Sequence, residues 1–320
     1  MTGTNGPTPS SSLGTAIDLH VHTTASSCGY MTPSEVVGHT RASGRRFLAI
    51  TDHNTTSGAV EARTFAKATG DDLTVIVGME LSTADFGHVL VFGEGVEDDW
   101  GWRSLMPMPR NLPDGWVAIQ AHPFRDLVKR ALPGPLAFDL PDLPPSISAI
   151  ERWNGNDLLS KSPDRRADLD EASLSYIAAQ GRTAVASSDA HRAVSMHAYH
   201  TVFPKPVRSV ADIAAQIKSG EACPGSASEA ELAEIRTSWR RRNAIGWHLM
   251  GLDWLAITAK KGHDADEASE TIRIYGIAQK MVGLGFGASH LSDETGLTFA
   301  TAMDFIAIVH EENLDTPRVR

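Results

Sequence analysis

From residue 16 to residue 191 the chain alternates short β-rich runs with helical stretches, and this rhythm restricts the fold more than any other feature. A strand followed by a helix and then another strand packs best as a parallel sheet covered by helices. The strand-like runs are 16–22, 47–53, 73–81, 87–93, 116–122, 146–154 and 183–191. Between the first two, Thr32-Pro33-Ser34-Glu35 reads as a capping box with proline at the first helical position, opening a helix towards Ser43. A second helix is expected over 57–69. Segments 100–115 and 132–145, rich in proline, read as loops of the kind that line active sites. After residue 227 the pattern turns helical, with few strand signals. The expected organisation is a disordered tail at 1–14, a barrel at 15–226 and a helical appendage at 227–320.

Several function classes drop out on composition and motif. A formal net charge of −10 repels a long phosphate backbone, which argues against nucleic acid as a partner. Trp239-Arg240-Arg241-Arg242 is a basic cluster with an aromatic, and on so acidic a chain it reads as a solvated helix face. Cys28 and Cys223 are too few for a disulfide framework, and no apolar run approaches the roughly 18–20 residues of a membrane helix. The N-terminal residues carry neither a basic nor an apolar leader segment, so a cytoplasmic location is expected, with no membrane as partner. The sequence has no GxxxxGK[ST], GxGxxG or GxSxG motif, so ATP-driven, dinucleotide and serine-hydrolase chemistry lack support.

The histidines decide the functional reading. His20, His22, His53, His88, His122 and His191 lie within or just beyond strand-like runs, accompanied by Asp18, Asp52, Glu80 and Asp189. In a parallel α/β barrel the C-terminal strand ends converge on one face, where such folds build active sites. In His20-Val21-His22 the period of two turns both imidazoles to the same side, so they can bind one ion together. Taken singly, a histidine near a strand end is ordinarily hydrogen-bonded or solvated, and Asp52 suits a turn that opens a helix. Recurrence at successive strand ends is what a multinuclear metal site explains and chance does not. Imidazole with carboxylate suits Zn, Mn or Fe.

DLHVHTTASSCG, ITDHN, GMELS, AHPFR and SSDAH, in this order, resemble the motifs of the polymerase and histidinol phosphatase (PHP) family of metal-dependent phosphoesterases, over residues 16–220. The resemblance implies a distorted (β/α)7 barrel with a three-metal site. It assigns His20, His22, Glu80 and Asp189 to a first ion, with Glu80 bridging to a second held also by His88 and His122. A third ion falls to His53, His191 and a loop ligand that is Asp or His in many members, where this chain reads Ser26-Ser27-Cys28-Gly29. Cys28 is either a thiolate ligand, favouring Zn or Fe over Mg or Mn, or a small buried thiol. Two to three divalent ions are thus expected.

Around the ligands, Asp18 and Asp52 are candidates to orient imidazoles. Arg125 and Arg192 are candidate grips for a phosphate, and Asn154 is a candidate to line the pocket or form a turn. The implied activity is release of phosphate from a small phosphorylated metabolite, a nucleotide or sugar phosphate, with Glu80, Asp189, His191 and His53 at the reacting centre. Hydrolysis of a carbamate or ester on the same fold is the alternative, as is a nuclease if a basic groove leads to the metals. A non-catalytic module would show eroded ligands, which this chain does not. The C-terminal helices suit a cap over the site or a homodimer contact.

Overall fold

A computed structural model describes residues 14–70, 72–98, 101–125, 142–260 and 264–314. Most of the expected tail at 1–14 and most of the expected loop at 132–145 lie outside the described residues. The strands are β1 (Thr15–Ile17), β2 (Phe47–Ile50), β3 (Thr74–Ser82), β4 (His88–Phe92), β5 (Val117–Gln120), β6 (Ile147–Asn154), β7 (Thr183–Ser187), β8 (Tyr199–Phe203) and β9 (Cys223–Ser226). Strands β2 to β7 form one six-stranded sheet in sequence order, and β1, β8 and β9 a smaller one. The runs of β3 to β5 are buried on both faces, which is why they read as continuous apolar stretches.

Two expectations need correction. The sheet is not wholly parallel: β4 runs antiparallel to both β3 and β5, while β2–β3, β5–β6 and β6–β7 are parallel. Between β3 and β4 only residues 83–87 are available, and a parallel crossover needs about a dozen. The first run is not one long strand either. Its start, β1, pairs antiparallel with β8, an element absent from the expected set, as is β9.

The remainder of that first run still closes the barrel. Thr51 N–H donates to the Val21 carbonyl at 2.9 Å and Ala49 N–H to the Asp18 carbonyl at 3.4 Å. On the other side, His22 N–H donates to the Ala190 carbonyl at 2.9 Å and Ala190 N–H to the His20 carbonyl at 3.2 Å. Residues 18–22 therefore stand between β2 and the end of β7, the two edges of the large sheet. Inside lies a core that includes Leu19, Leu90, Phe92, Ile119, Val185 and Phe203.

Helix α1 (Pro33–Ala42) begins where the capping box places it: Thr32 Oγ1 accepts from Glu35 N–H, and Glu35 Oε2 accepts from Thr32 N–H. Helix α2 (Ser57–Thr69) follows β2, the short α3 (Gly155–Leu158) follows β6, and α4 (Pro163–Gln180) and α5 (Val210–Lys218) complete the barrel helices. The chain divides into two compact units, residues 1–159 with 163–232, and residues 160–162 with 233–320. The division falls inside α6 (Glu229–Leu249).

The second unit contains α7 (Trp254–Lys260), α8 (Ala265–Gly283), α9 (Ala288–Thr295) and α10 (Phe299–Leu314), around a core of Ile245, Ile274, Tyr275, Leu291, Phe305 and Val309 among others. Its arginine cluster is not a solvated face. Arg242 is buried and bonds Asp304 at 2.5 Å, Arg241 reaches the same carboxylate at 3.2 Å, and Arg240 lies 3.4 Å from Glu267. The charges are consumed inside the helical unit.

Candidate metal centre

The strand ends bring the candidate donors together. His20 and His22 come from the closing segment, His53 from just beyond β2, Glu80 from β3, His88 from the first residue of β4, His122 from just beyond β5, and Asp189 and His191 from beyond β7. His20, His22, Glu80 and Asp189 are buried almost completely. Neighbouring imidazoles stack or meet edge-on, with centroids 4.5 to 5.9 Å apart from His22–His191 to His20–His122.

Four donors face one point. Glu80 Oε2 lies 3.2 Å from both His20 Nε2 and His22 Nε2; Asp189 Oδ1 lies 3.4 and 3.2 Å from the same two atoms; and the two Nε2 atoms are 3.0 Å apart. Two donors each about 2.1 Å from one ion, at octahedral to tetrahedral angles, stand about 3.0–3.4 Å apart. Yet Glu80 Oε2 and Asp189 Oδ1 are buried oxygens with no hydrogen-bond partner among the described residues. Buried polar atoms are nearly always satisfied, so two orphans aimed at each other's neighbours fit a shared cation. Glu80 Oε1 faces a second set, His88 Nδ1 at 2.8 Å and His122 Nε2 at 2.9 Å. The His88 contact lacks hydrogen-bond geometry and leaves Nδ1 unpartnered as well.

A third grouping joins His22, Cys28 and His191, whose donor atoms lie within 4.8 Å of one another. His53 is placed differently from the implied assignment: its Nδ1 lies 3.1 Å from Glu80 Oε2, and it groups with His22 and Glu80.

The neighbours fix which ring nitrogen is left for an ion. His191 Nδ1 lies 2.9 Å from the Asp189 carbonyl, a contact that suits N–H donation and frees Nε2. Ser26 Oγ donates to Asp52 Oδ1 at 2.7 Å, accepts from His53 N–H at 2.8 Å and faces His22 Nδ1 at 3.3 Å. Asp52 thus acts on His22 through Ser26, and its other oxygen takes the Thr23 hydroxyl at 2.7 Å. Gly58 packs on this knot so closely that a Cβ would come within 2.2 Å of Asp52 Oδ2. No Asp52 oxygen bonds an imidazole directly.

Asp18 does not orient a ligand ring either. Its carboxylate accepts from Ser188 N–H at 2.9 Å, the Ser188 hydroxyl at 2.5 Å and His197 N–H at 2.8 Å, tying the closing segment to the stretch after β7. The carboxylate that does reach His20 is Glu151 on β6, 3.0 Å from Nδ1, which sequence reasoning missed. The available signal was an acid inside the apolar run 146–154.

Of the substrate candidates, Arg125 lies at the rim, its Nε 2.8 Å from Asp157 Oδ1 and its Nη2 bonded to Asn154 Oδ1 at 2.9 Å and to Asp189 Oδ2. Asn154 both forms the turn and lines a cavity with His122 and Asp157. It is buried, caps α3 through Asp157 N–H and donates to Glu151 at 2.9 Å. Arg192 lies with its guanidinium carbon 3.7 Å from the Tyr30 ring centroid. Asp189 and His122 hold positive φ values of 50° and 29°, strain of the kind that concentrates at functional sites.

A family model described as PHP domain matches residues 18–193, more than half of the chain. The chain belongs to the PHP domain family. A second model, described as PHP-associated, matches residues 171–222 of this PHP protein. It is similar to a 5′-3′ exoribonuclease of Haemophilus influenzae, 46% identical over 66 residues, 21% of this chain and 23% of the relative. The corresponding enzyme of Escherichia coli is 42% identical over 71 residues, 22% of this chain and 24% of the relative. The match therefore spans less than a quarter of either exoribonuclease. A solved two-domain protein from Bacteroides vulgatus, described as containing a predicted PHP-like metal-dependent phosphoesterase, is 15% identical, with 71% of this chain and 70% of that one covered and a TM-score of 0.45. Among the described residues no helix is long and apolar enough to cross a membrane.

PHP proteins are metal-dependent phosphoesterases, and the electrostatics of this domain suit divalent cations. Burial works against charge on every group, yet Glu80 is held well below the usual carboxylate range by His20 and His122, and Asp189 by Arg125 and His20. Burial also pulls the His22 imidazole down, but the carboxylates of Asp189 and Glu80, each 3.2 Å away, outweigh it and bring it up to about 9. At His53 and His191 burial prevails over the nearby carboxylates, and each drops to about 4. Those two rings are neutral at pH 7, the form that binds a cation. Burial, with Glu80 and Asp189 nearby, pushes the Cys28 thiol up to about 11, so a thiolate there requires a cation beside it.

Proposed function

We propose that this PHP domain is a phosphomonoesterase acting on a small phosphorylated metabolite, a nucleotide or a sugar phosphate. The observation that carries the reading is the pair of orphaned carboxylate oxygens, Glu80 Oε2 and Asp189 Oδ1, facing imidazole nitrogens beside a fixed guanidinium. His20, His22, Glu80 and Asp189 would hold one ion, Glu80, His88 and His122 a second, and Cys28 and His191, with His22 beside them, would offer donors for a third. Divalent ions there supply the positive charge that makes hydroxide available from water at neutral pH and neutralises phosphoryl oxygens.

The chain's own residues supply the rest. Glu80 offers one oxygen to each of the first two donor sets and so fixes their separation. Arg125 stays protonated, because Asp189 and Asp157 outweigh the burial that opposes its charge. With Nε and Nη2 committed to acids and Asn154, its Nη1 has no partner among the described residues and is the donor left for a phosphate oxygen. An in-line attack of water oxygen on phosphorus forms one P–O bond and breaks the other, with the leaving oxygen taking a proton; no covalent phosphoenzyme is required. The ion pairs of Arg241 and Arg242 with Asp304 support a small substrate over a long polyanion.

Phosphate release from mononucleotides and sugar phosphates, with Mn or Zn supplied and Asp189→Ala as control, tests the reading. Release that the substitution abolishes is the expected result. A second reading is exonuclease action on RNA, favoured by the local identity to the two exoribonucleases. Silence on the small substrates together with metal-dependent shortening of a 5′-phosphorylated oligoribonucleotide would replace the first reading with the second.

A further inference from the structure

We propose that Glu151 is a positioning residue that sets two of the proposed ligands at once, His20 through its ring and His122 through its backbone. The proposal rests on the metal-hydrolase reading above. Glu151 is 2% exposed and has all of its acceptor capacity used. Oε1 faces His20 Nδ1 at 3.0 Å and accepts the Ser187 hydroxyl. Oε2 accepts His122 N–H at 2.8 Å and Asn154 Nδ2 at 2.9 Å.

Each bond has a consequence for the centre. A carboxylate at Nδ1 keeps the proton on that nitrogen and turns Nε2, with its lone pair, towards Glu80 and Asp189. His122 sits at φ 29°, a conformation an L residue leaves unless held, and the bond to its N–H is one such hold. His20 belongs to the first donor set and His122 to the second, so one side chain from β6 spaces both. Asn154 and Ser187 in turn fix the carboxylate plane, which explains a buried Asn that touches neither donor set.

The test uses the full chain. Zn and Mn affinities are measured by equilibrium dialysis for wild type, Glu151→Gln, His20→Ala and the double variant, alongside the rise in melting temperature that each ion produces. Either orientation of the Gln amide sets its NH2 against two donors, so one ligand is released. The expected result is affinity about 10–100-fold weaker in Glu151→Gln, with a smaller ion-induced rise in melting temperature. In the His20→Ala background the same substitution costs less, because part of its effect runs through His20. Should Glu151→Gln fail to fold, Glu151→Asp keeps the charge but is one methylene too short to reach both partners, and is measured in the same way. Wild-type affinity in a folded Glu151 variant, even with a lowered melting temperature, overturns the proposal and leaves the metal reading intact. Wild-type protein that takes up neither ion overturns the metal reading, and this one with it.

Discussion

Two carboxylate centres in this molecule are built to opposite rules. In the helical unit, Asp304 Oδ1 takes the Ser238 hydroxyl at 2.6 Å and Arg242 at 2.5 Å, and Oδ2 takes Arg241 at 3.2 Å. Both oxygens are satisfied and two guanidinium charges face one carboxylate. At the barrel rim, Asp189 meets the guanidinium of Arg125, Glu80 and Glu151 face imidazoles, and among the described residues Glu80 Oε2 and Asp189 Oδ1 are left without a partner. A saturated cluster of charges can hold a fold together, whereas an unsaturated one costs stability and is retained for what it binds. The barrel pays that cost with a rigid surround, the closing segment being bonded on both sides.

The largest expected effect lies at the rim. Asp189→Ala should lower phosphate release by at least about 10³-fold, because a charge-placing group is lost from the reacting centre. Its melting temperature in chelator should nevertheless fall less than that of Asp304→Ala, since the substitution removes an orphaned oxygen along with the bond to Arg125, which keeps Asp157 and Asn154. A large drop in the chelated protein would show that the rim carboxylate is structural and would erase the contrast.

The helical unit should behave in reverse. Asp304→Ala takes the carboxylate from buried Arg242, which costs about 3 kcal/mol in unfolding while phosphate release per folded molecule stays unchanged. Acid should do the same more gently. Burial raises the Asp304 carboxyl, but Arg242, Ser238 and Arg241 outweigh it and hold the group below its ordinary value. Its contribution is therefore complete above an unfolded pKa of about 3.9 and is lost as pH falls through the lower folded value. Thermal melts between neutral pH and strong acid should show this loss in wild type and lack it in Asp304→Asn.

The same contrast explains what the sequence made legible. Donors at strand ends announce themselves because the period of two and the convergence of strands are simple rules, and His20, His22, Glu80 and Asp189 do meet. Glu151 obeys no spacing rule: its partners come from residues 20, 122, 154 and 187, so only the folded chain relates them. Strand direction was legible in part, since the five residues 83–87 are too few for a crossover, a constraint that the βα rhythm obscured. Strands β8 and β9 were hidden because one carries two polar residues in five and the other reads Cys-Pro-Gly-Ser. The arginine run looked solvated because its acidic partners lie far off in sequence, at Glu267 and Asp304.

The smallest and sharpest comparison sets two serines side by side. Ser26 and Ser238 each donate a hydroxyl to a carboxylate, Asp52 at 2.7 Å and Asp304 at 2.6 Å, so their bonds are chemically matched. Each Ser→Ala change should cost about 0.5–1.5 kcal/mol from the lost bond. Each change also removes an acceptor, of the His53 N–H at Ser26 and of Arg242 Nη1 at Ser238. What separates them is the neighbour. Ser26 Oγ faces His22 Nδ1, so its loss should weaken Zn or Mn uptake as well as lower the melting temperature. Among the described residues Ser238 Oγ bonds Asp304 and Arg242 and faces no imidazole, so its loss should lower the melting temperature alone. Equal metal affinity in the two variants would mean that the rim is no more poised for a cation than the helical unit.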